Sequence, residues 1–362
     1  MGAERWAPAR GEGGPAVVRV AVVGVTGYAG IEALRLLQGH PGAEVALLAS
    51  HGHAGERLDT LYGHLGALGR RVLEAVDPAT IAARSDVALL SLPARASLEL
   101  APQLLERGVR VIDFGADFRL GDADTYARFY GGAHSAPGWL REAVYGLPEF
   151  HRAEIAGAAL VANPGCYPTA ALLALWPALR AGAVSPEDIL IDAKSGVTGA
   201  GRGLALSAHF AEADGNLWPY KLAGEHRHTP EMRQELALAA GRPVTLSFSP
   251  HQVPMSRGLL ATCYARLAPG WTGERLAGCY RQAYAEEPFV QWLDHGLPAT
   301  KATVGTNVGQ VALRVDPEVG RAVLTAAIDN LGKGAAGQAI QNLNRMFGLD
   351  EGSGLPGIGV FP

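Results

Sequence analysis

Apolar positions in the first half of the chain fall into short runs that alternate with stretches of helical periodicity. Val17–Val23 is a β-branched run ending at Gly24, and beyond it Ile31, Leu34 and Leu37 recur at helical spacing over Tyr28–Leu37. Runs at Glu44–Ala49, Val87–Leu92 and Val109–Phe114 predict three more strands, and Ala96–Glu106 reads as a helix between the last two. Strand and helix alternating in this way specify an α/β fold with a parallel, doubly wound sheet. Residues 17–163 are therefore expected to form a Rossmann-type, nucleotide-binding domain.

After Asn163 the pattern changes. One helical stretch follows Cys166, and strands are expected at Ile189–Ala193, Val244–Ser249, Leu259–Leu267, Gln310–Val315 and Ala322–Ile328. Several alternate in apolarity and are joined by Pro/Gly-rich turns, which predicts a second, α+β domain with a mainly antiparallel sheet over residues 164–332. The last helix, Ala335–Met346, is rich in small residues and amides, and residues 333–362 are expected to pack it back against the first domain.

Composition narrows the class. The chain has 362 residues, 48% hydrophobic and 18% charged, enough for one large or two ordinary packed domains. A net charge of -4 and the lack of a basic, aromatic-interleaved cluster argue against nucleic acid as a partner. Three cysteines without close pairs fit neither a disulfide framework nor a zinc site, and point to a reducing cytoplasm. Residues 1–16 lack the apolar centre of a secretory signal and read as a mobile tail; no later stretch is apolar for long enough to suit a membrane.

Candidate chemistry begins at Gly24-Val25-Thr26-Gly27-Tyr28-Ala29-Gly30, a glycine turn between strand and helix. Unpaired N–H groups and the helix dipole there attract the pyrophosphate of a dinucleotide. The spacing is G-x-x-G-x-x-G, and a tight turn without a ligand explains it nearly as well. At the end of the second strand stand Ser50, His51, Gly52 and His53, with no carboxylate to repel a 2′-phosphate, which favours NADP(H) over NAD.

The turn Asn163-Pro164-Gly165-Cys166-Tyr167-Pro168-Thr169 places Cys166 at a helix start, where the dipole favours the thiolate and hence nucleophilic chemistry. Cys263 and Cys279 lie in strand and helix patterns and read as structural. His226-Arg227-His228-Thr229-Pro230-Glu231, before a helix expected to begin near Pro230, offers a proton shuttle; a helix start capped by Thr229 is the plainer alternative. No third ligand completes a metal site there. Arg119, Lys194, Arg202 and Arg257 are each ordinary surface charges, but together with a cysteine and a histidine they suit a small-molecule acyl phosphate.

Taken in order, these pieces carry a resemblance. With Gly115-Ala116-Asp117-Phe118-Arg119-Leu120, Tyr145-Gly146-Leu147-Pro148-Glu149, the stretch from Ser195 to Arg202 and the stretch from Asp329 to Gln338, the chain from about Val18 onward resembles the N-acetyl-gamma-glutamyl-phosphate reductases of arginine biosynthesis, in the aspartate-semialdehyde dehydrogenase superfamily. The resemblance implies that Cys166 attacks the acyl phosphate and that the resulting thioester takes hydride from NADPH. It makes His228 the acid/base residue, with His226 competing, and assigns Arg119, Lys194 and Arg257 to the anionic substrate. On the cofactor side it implies Gly24, Thr26, Gly27, Tyr28, Gly30 and Ser50, with Gly337 and Gln338 brought back by the last helix. It also implies a homo-oligomer, a dimer or tetramer.

Two departures stand out: His51 where relatives often carry arginine, and Pro93-Ala94-Arg95 where many carry Pro-His-Gly. The nearest rival function is reduction of an aminoadipyl phosphate, one methylene longer, in lysine biosynthesis; a single methylene discriminates by only about 1–3 kcal/mol. A thiol hydrolase would need no nucleotide domain, and a silent binding protein would not need Cys166 and the histidines.

Overall fold

The computed structural model describes residues 17–361, so the expected tail over 1–16 lies outside the described residues. The chain divides into two compact units. One runs to Pro164 and takes in Ala335–Leu355; the other comprises Gly165–Gly334 and the residues from Pro356 onward.

The first unit is built on β1 (Val18–Val23), β2 (Ala43–Ala49), β3 (Val87–Leu90), β4 (Arg110–Asp113), β5 (Val144–Tyr145) and β6 (Leu160–Ala162). They lie in the order β2-β1-β3-β4-β6-β5 and every pair is parallel. Alternation along β1 divides the interior: Val18, Val20 and Val22 join Leu34, Leu37, Ile340 and Leu343, whereas Ala21 and Val23 join Leu47, Leu90 and Val111. A sheet apolar on both faces must be covered on both. The helices Tyr28–Leu37 and Gly337–Phe347 cover the first face together. β5 and β6 escape the sequence pattern because two or three residues are too few to show a period.

The ends of β3 and β4 are tied by buried acids. Asp113 closes β4, wholly buried, its Oδ1 accepting from the Ser97 hydroxyl at 2.7 Å and the Gly115 N–H at 2.9 Å. Burial pushes its carboxyl up to about 6. Asp117 accepts the Arg95 N–H at 2.8 Å and the Ser97 N–H at 3.2 Å, at the start of the helix Ser97–Glu106. Arg95 takes a left-handed φ of +75°, the conformation glycine adopts at no cost, at the position where the sequence departs from Pro-His-Gly.

The second unit holds β7 (Ile189–Gly196), β8 (Trp218–Pro219), β9 (Leu246–Val253), β10 (Leu259–Arg266), β11 (Val290–Trp292), β12 (Gly309–Asp316) and β13 (Arg321–Ile328), in the order β11-β12-β13-β10-β7-β9-β8. Four pairs are antiparallel; β7 with β9 and β11 with β12 are parallel, so the sheet is mixed though mostly antiparallel. Parallel partners need a crossover, and the helix His228–Ala240 lies in the one between β7 and β9.

Under this sheet runs the helix Cys166–Arg180, buried continuously from Tyr167 to Leu179. Pro177 has no N–H to give the Leu173 carbonyl, and the Tyr284 hydroxyl donates to that oxygen instead, at 2.5 Å. The last helix begins later than the expected Ala335, because Gly332–Ala336 forms a π-helical turn in which the Gly334 N–H reaches the Asp329 carbonyl at 2.9 Å.

Candidate active site

Cys166 is the first residue of its helix and is partly exposed. Gly165 before it is extended and offers no side-chain cap. Its N–H is instead taken by Glu231 Oε1 at 2.9 Å, from the first turn of the helix His228–Ala240. Gly334 closes the back of the cysteine: a β-carbon there would stand 2.8 Å from Cys166 Cβ. The other thiols differ. Cys263 is buried on β10, where burial pushes its pKa well above the ordinary thiol value, and the Cys279 thiol faces the Arg275 carbonyl at 3.6 Å within its own helix.

His228 opens its helix two residues before the expected start; Arg227 is the cap position, and Thr229 lies buried in the first turn. The imidazole rests over Gly165. A β-carbon on that glycine would lie 2.5 Å from His228 Nε2 and 2.8 Å from Cε1. The histidine ring and the cysteine-bearing turn are thus in direct contact.

His226 has a different setting. It is buried among Tyr167, Tyr220 and Phe248, with ring centroids 5.7, 5.4 and 5.2 Å away. Its Nδ1 accepts the His228 backbone N–H at 3.1 Å. Burial, aided by the Lys221 and Arg227 charges, lowers its pKa to about 4, so the ring is neutral near pH 7. Beside it the Tyr220 hydroxyl donates to that of Tyr167 at 3.2 Å, which donates to the His251 carbonyl at 3.0 Å. Burial pushes Tyr220 up to about 12 and Tyr167 higher still, so both phenols stay protonated.

The cations Lys194, Arg257 and Arg119 are each engaged within their own unit. Lys194 on β7 pairs with Asp192, which also faces His251 Nδ1 at 3.2 Å. Arg257 meets the fully buried Asp329 at 2.9 Å, and that carboxylate also accepts the N–H groups of Gly305, Leu331 and Gly332. Arg119, in the first unit, donates to the carbonyls of Asn163 and Phe114, each at 2.7 Å. Among the described residues no group of three or more His, Cys, Asp or Glu is arranged to hold a metal ion.

In the first unit the glycine turn follows β1, which lies between β2 and β3 at the point where the strand order reverses, the usual ligand position in such sheets. Gly24 has φ +80° and backs onto the Ser91 carbonyl, and a β-carbon on Gly30 would lie 2.5 Å from the Gly24 carbonyl. Internal packing therefore demands both glycines. Gly27 is different, since a β-carbon there meets nothing closer than 3.5 Å, so packing within the unit does not require a glycine at that position. Thr26 and Ser50 hydroxyls stand 3.4 Å apart beside it, and Tyr28, half-buried, starts the helix.

Gly337 and Gln338 begin the last helix, both buried, and neither polar atom of the Gln338 side chain has a hydrogen-bond partner among the described residues. A buried amide with neither atom satisfied costs free energy unless a bound polar group meets it. The sequence pattern pointed to most of these residues, but it undervalued Glu231, whose signal was its place three residues after His228 on one helical face, and Gly165.

Comparison with known proteins agrees with this division. Residues 19–158 match the semialdehyde dehydrogenase NAD binding domain and residues 166–330 the semialdehyde dehydrogenase dimerisation domain. An N-acetyl-gamma-glutamyl-phosphate reductase of Symbiobacterium thermophilum is 50% identical over 95% of this chain and 99% of that protein. One from Desulforudis audaxviator is 48% identical over 96% and 100%. Among solved structures, aspartate semialdehyde dehydrogenase II of Vibrio cholerae, complexed with ASA, superposes with a TM-score of 0.69 at 19% identity, covering 91% of this chain and 98% of that one. The fold is shared at that distance. No helix among the described residues is long and apolar enough to cross a membrane.

Proposed function

The chain belongs to the semialdehyde dehydrogenase family and, within it, to the N-acetyl-gamma-glutamyl-phosphate reductases, and from that premise we propose that it reduces the γ-acyl phosphate of N-acetylglutamate to the semialdehyde, with NADPH as reductant and a thioester on Cys166. The observation that carries the reading is the convergence on Gly165, which Cys166 follows, Glu231 holds and His228 overlies.

The Cys166 sulfur bonds to the acyl carbon, the bond from that carbon to the phosphate oxygen breaks, and phosphate leaves with the electron pair. The dinucleotide, when bound, supplies a hydride to the thioester carbon. His228 gives a proton to the oxygen that gathers charge at that carbon and takes it back as the carbon–sulfur bond breaks and the aldehyde departs. The lowered pKa of His226 and its acceptance of the His228 N–H favour His228 over it as the proton donor. Lys194 and Arg257, in the same unit as Cys166, are the cations that would face the anionic substrate, beside the carboxylates of Asp192 and Asp329 that hold them.

Gln338, Gly27, Thr26 and Ser50 are the residues that would hold the cofactor, and the unsatisfied Gln338 amide is what supports that assignment. The absence of a carboxylate across Ser50-His51-Gly52-His53 supports NADP over NAD.

The test is phosphate-dependent reduction of NADP, followed by absorbance, with N-acetylglutamate semialdehyde and its one-carbon-longer homologue offered in parallel. Preference for the shorter aldehyde, abolished in Cys166→Ser with NADPH binding intact, is the expected result. Preference for the longer aldehyde would overturn the substrate, and turnover by the serine variant would overturn the thioester.

A further inference from the structure

We propose that Arg95 is a further cofactor-binding residue of this chain, its guanidinium meeting the pyrophosphate of the bound dinucleotide at the carboxyl edge of the first sheet. The inference rests on the dinucleotide reading given above and on residues of the first unit alone.

In a doubly wound sheet the ligand lies beyond the carboxyl ends of the strands, in the crevice where the strand order turns, here between the loops that follow β1 and β3. Those two loops touch: a β-carbon on Gly24 would stand 2.2 Å from the Ser91 carbonyl oxygen and 3.3 Å from Leu92 Cδ2. Arg95 belongs to the same β3 loop, just before the helix Ser97–Glu106, and it is exposed. The turn Gly24–Gly30 offers N–H groups but no charged side chain, and Ser91–Ala96 contains no acid. Arg95 is the one charged residue of these two stretches.

Its backbone holds φ +75°, a conformation that strains a residue with a side chain and leaves glycine unstrained. The Asp117 carboxylate accounts for the conformation, since Oδ1 accepts the Arg95 N–H at 2.8 Å and Oδ2 the Ser97 N–H at 3.2 Å. It does not account for the arginine, because glycine would present the same N–H without strain. Nor does the guanidinium gain an ion pair within the fold. It lies over Gly132, where a β-carbon would come within 2.8 Å of Nη1 and 3.2 Å of Cζ, and among the described residues no acid pairs with it. Strain kept at the edge of a ligand crevice, on a residue whose charge the fold does not use, points to an anion that does.

Strand order decides which phosphate that is. β2 lies on the far side of β1 from β3, and the end of β2, Ser50 to His53, is where such sheets meet the adenosine ribose. A cation on the β3 side therefore faces the pyrophosphate, which NADPH and NADH share, rather than the 2′-phosphate that NADPH alone carries.

Arg95→Gly removes charge and strain together, and Arg95→Asn removes the charge while keeping a residue that tolerates the left-handed region. NADPH and NADH affinities of the full-length protein are measured by fluorescence titration at low and high salt, beside melting curves. Both variants are expected to bind both dinucleotides about tenfold or more weakly at low salt. The loss should shrink at high salt, and Arg95→Gly should melt no lower than the parent. Unchanged affinity in either folded variant would overturn the proposal, as would a loss confined to NADPH, which would put the guanidinium at the 2′-phosphate. Wild-type protein that binds neither dinucleotide would instead overturn the cofactor reading on which the role of Arg95 rests.

Discussion

Gly165 shows what a single residue decides at this site. Its backbone, φ -70° and ψ 151°, suits any amino acid, so alanine there would bring no conformational strain. It would, however, set a methyl group 2.5 Å from His228 Nε2, and the imidazole would have to move. Displacement of a catalytic group by about 1 Å costs on the order of 100-fold in rate. Gly165→Ala is therefore expected to lower kcat by about that factor while its melting curve stays near that of the parent; kinetics beside circular dichroism check both halves. Near-normal turnover would mean that His228 need not lie where the structure puts it.

The junction between β4 and the helix Ser97–Glu106 stores a pH dependence. Asp113 is raised to about 6 from an ordinary 3.8, chiefly by burial, with the Asp117 charge adding to it and the Ser97 hydroxyl opposing. A folded-state pKa above the unfolded one means that the protonated acid favours the folded chain. That stability is whole below about pH 4 and lost as pH rises through 6. The loss amounts to about 2–3 kcal/mol. An amide introduced by Asp113→Asn would be neutral at every pH, and its oxygen would still accept from Ser97 and Gly115. This variant should thus be more stable than the parent at pH 7.5 and much closer to it at pH 4.5, as read by urea unfolding at the two values; an equal difference at both would remove Asp113 as the source.

At the scale of the whole molecule the residues proposed for the cofactor and for the chemistry fall in different units, with the glycine turn and Gln338 in one and Cys166, His228 and Glu231 in the other. Gln338→Leu should weaken NADPH binding about tenfold or more, since the hydrogen bonds that the bound cofactor would give the otherwise unsatisfied amide would be lost, while iodoacetamide modification of Cys166 without cofactor keeps its rate. A fluorescence titration beside the alkylation assay separates the two effects, and unchanged NADPH affinity would free Gln338 of its role.

Much of this organisation was legible locally. The β-branched run ending at Gly24, the apolar runs of β2, β3 and β4, and Cys166 at a helix start are features of neighbouring residues, and neighbours dictate strand, turn and helix N-terminus through spacing alone. The very short β5, β6 and β8 were not legible, nor the parallel pairing of β7 with β9, because partners distant in sequence stabilise them. The histidine question belongs with these. Two imidazoles two residues apart are equivalent in sequence; only packing buries one among Tyr167, Tyr220 and Phe248 and lays the other over Gly165, and burial, through the cost of a charge out of water, makes their chemistry differ.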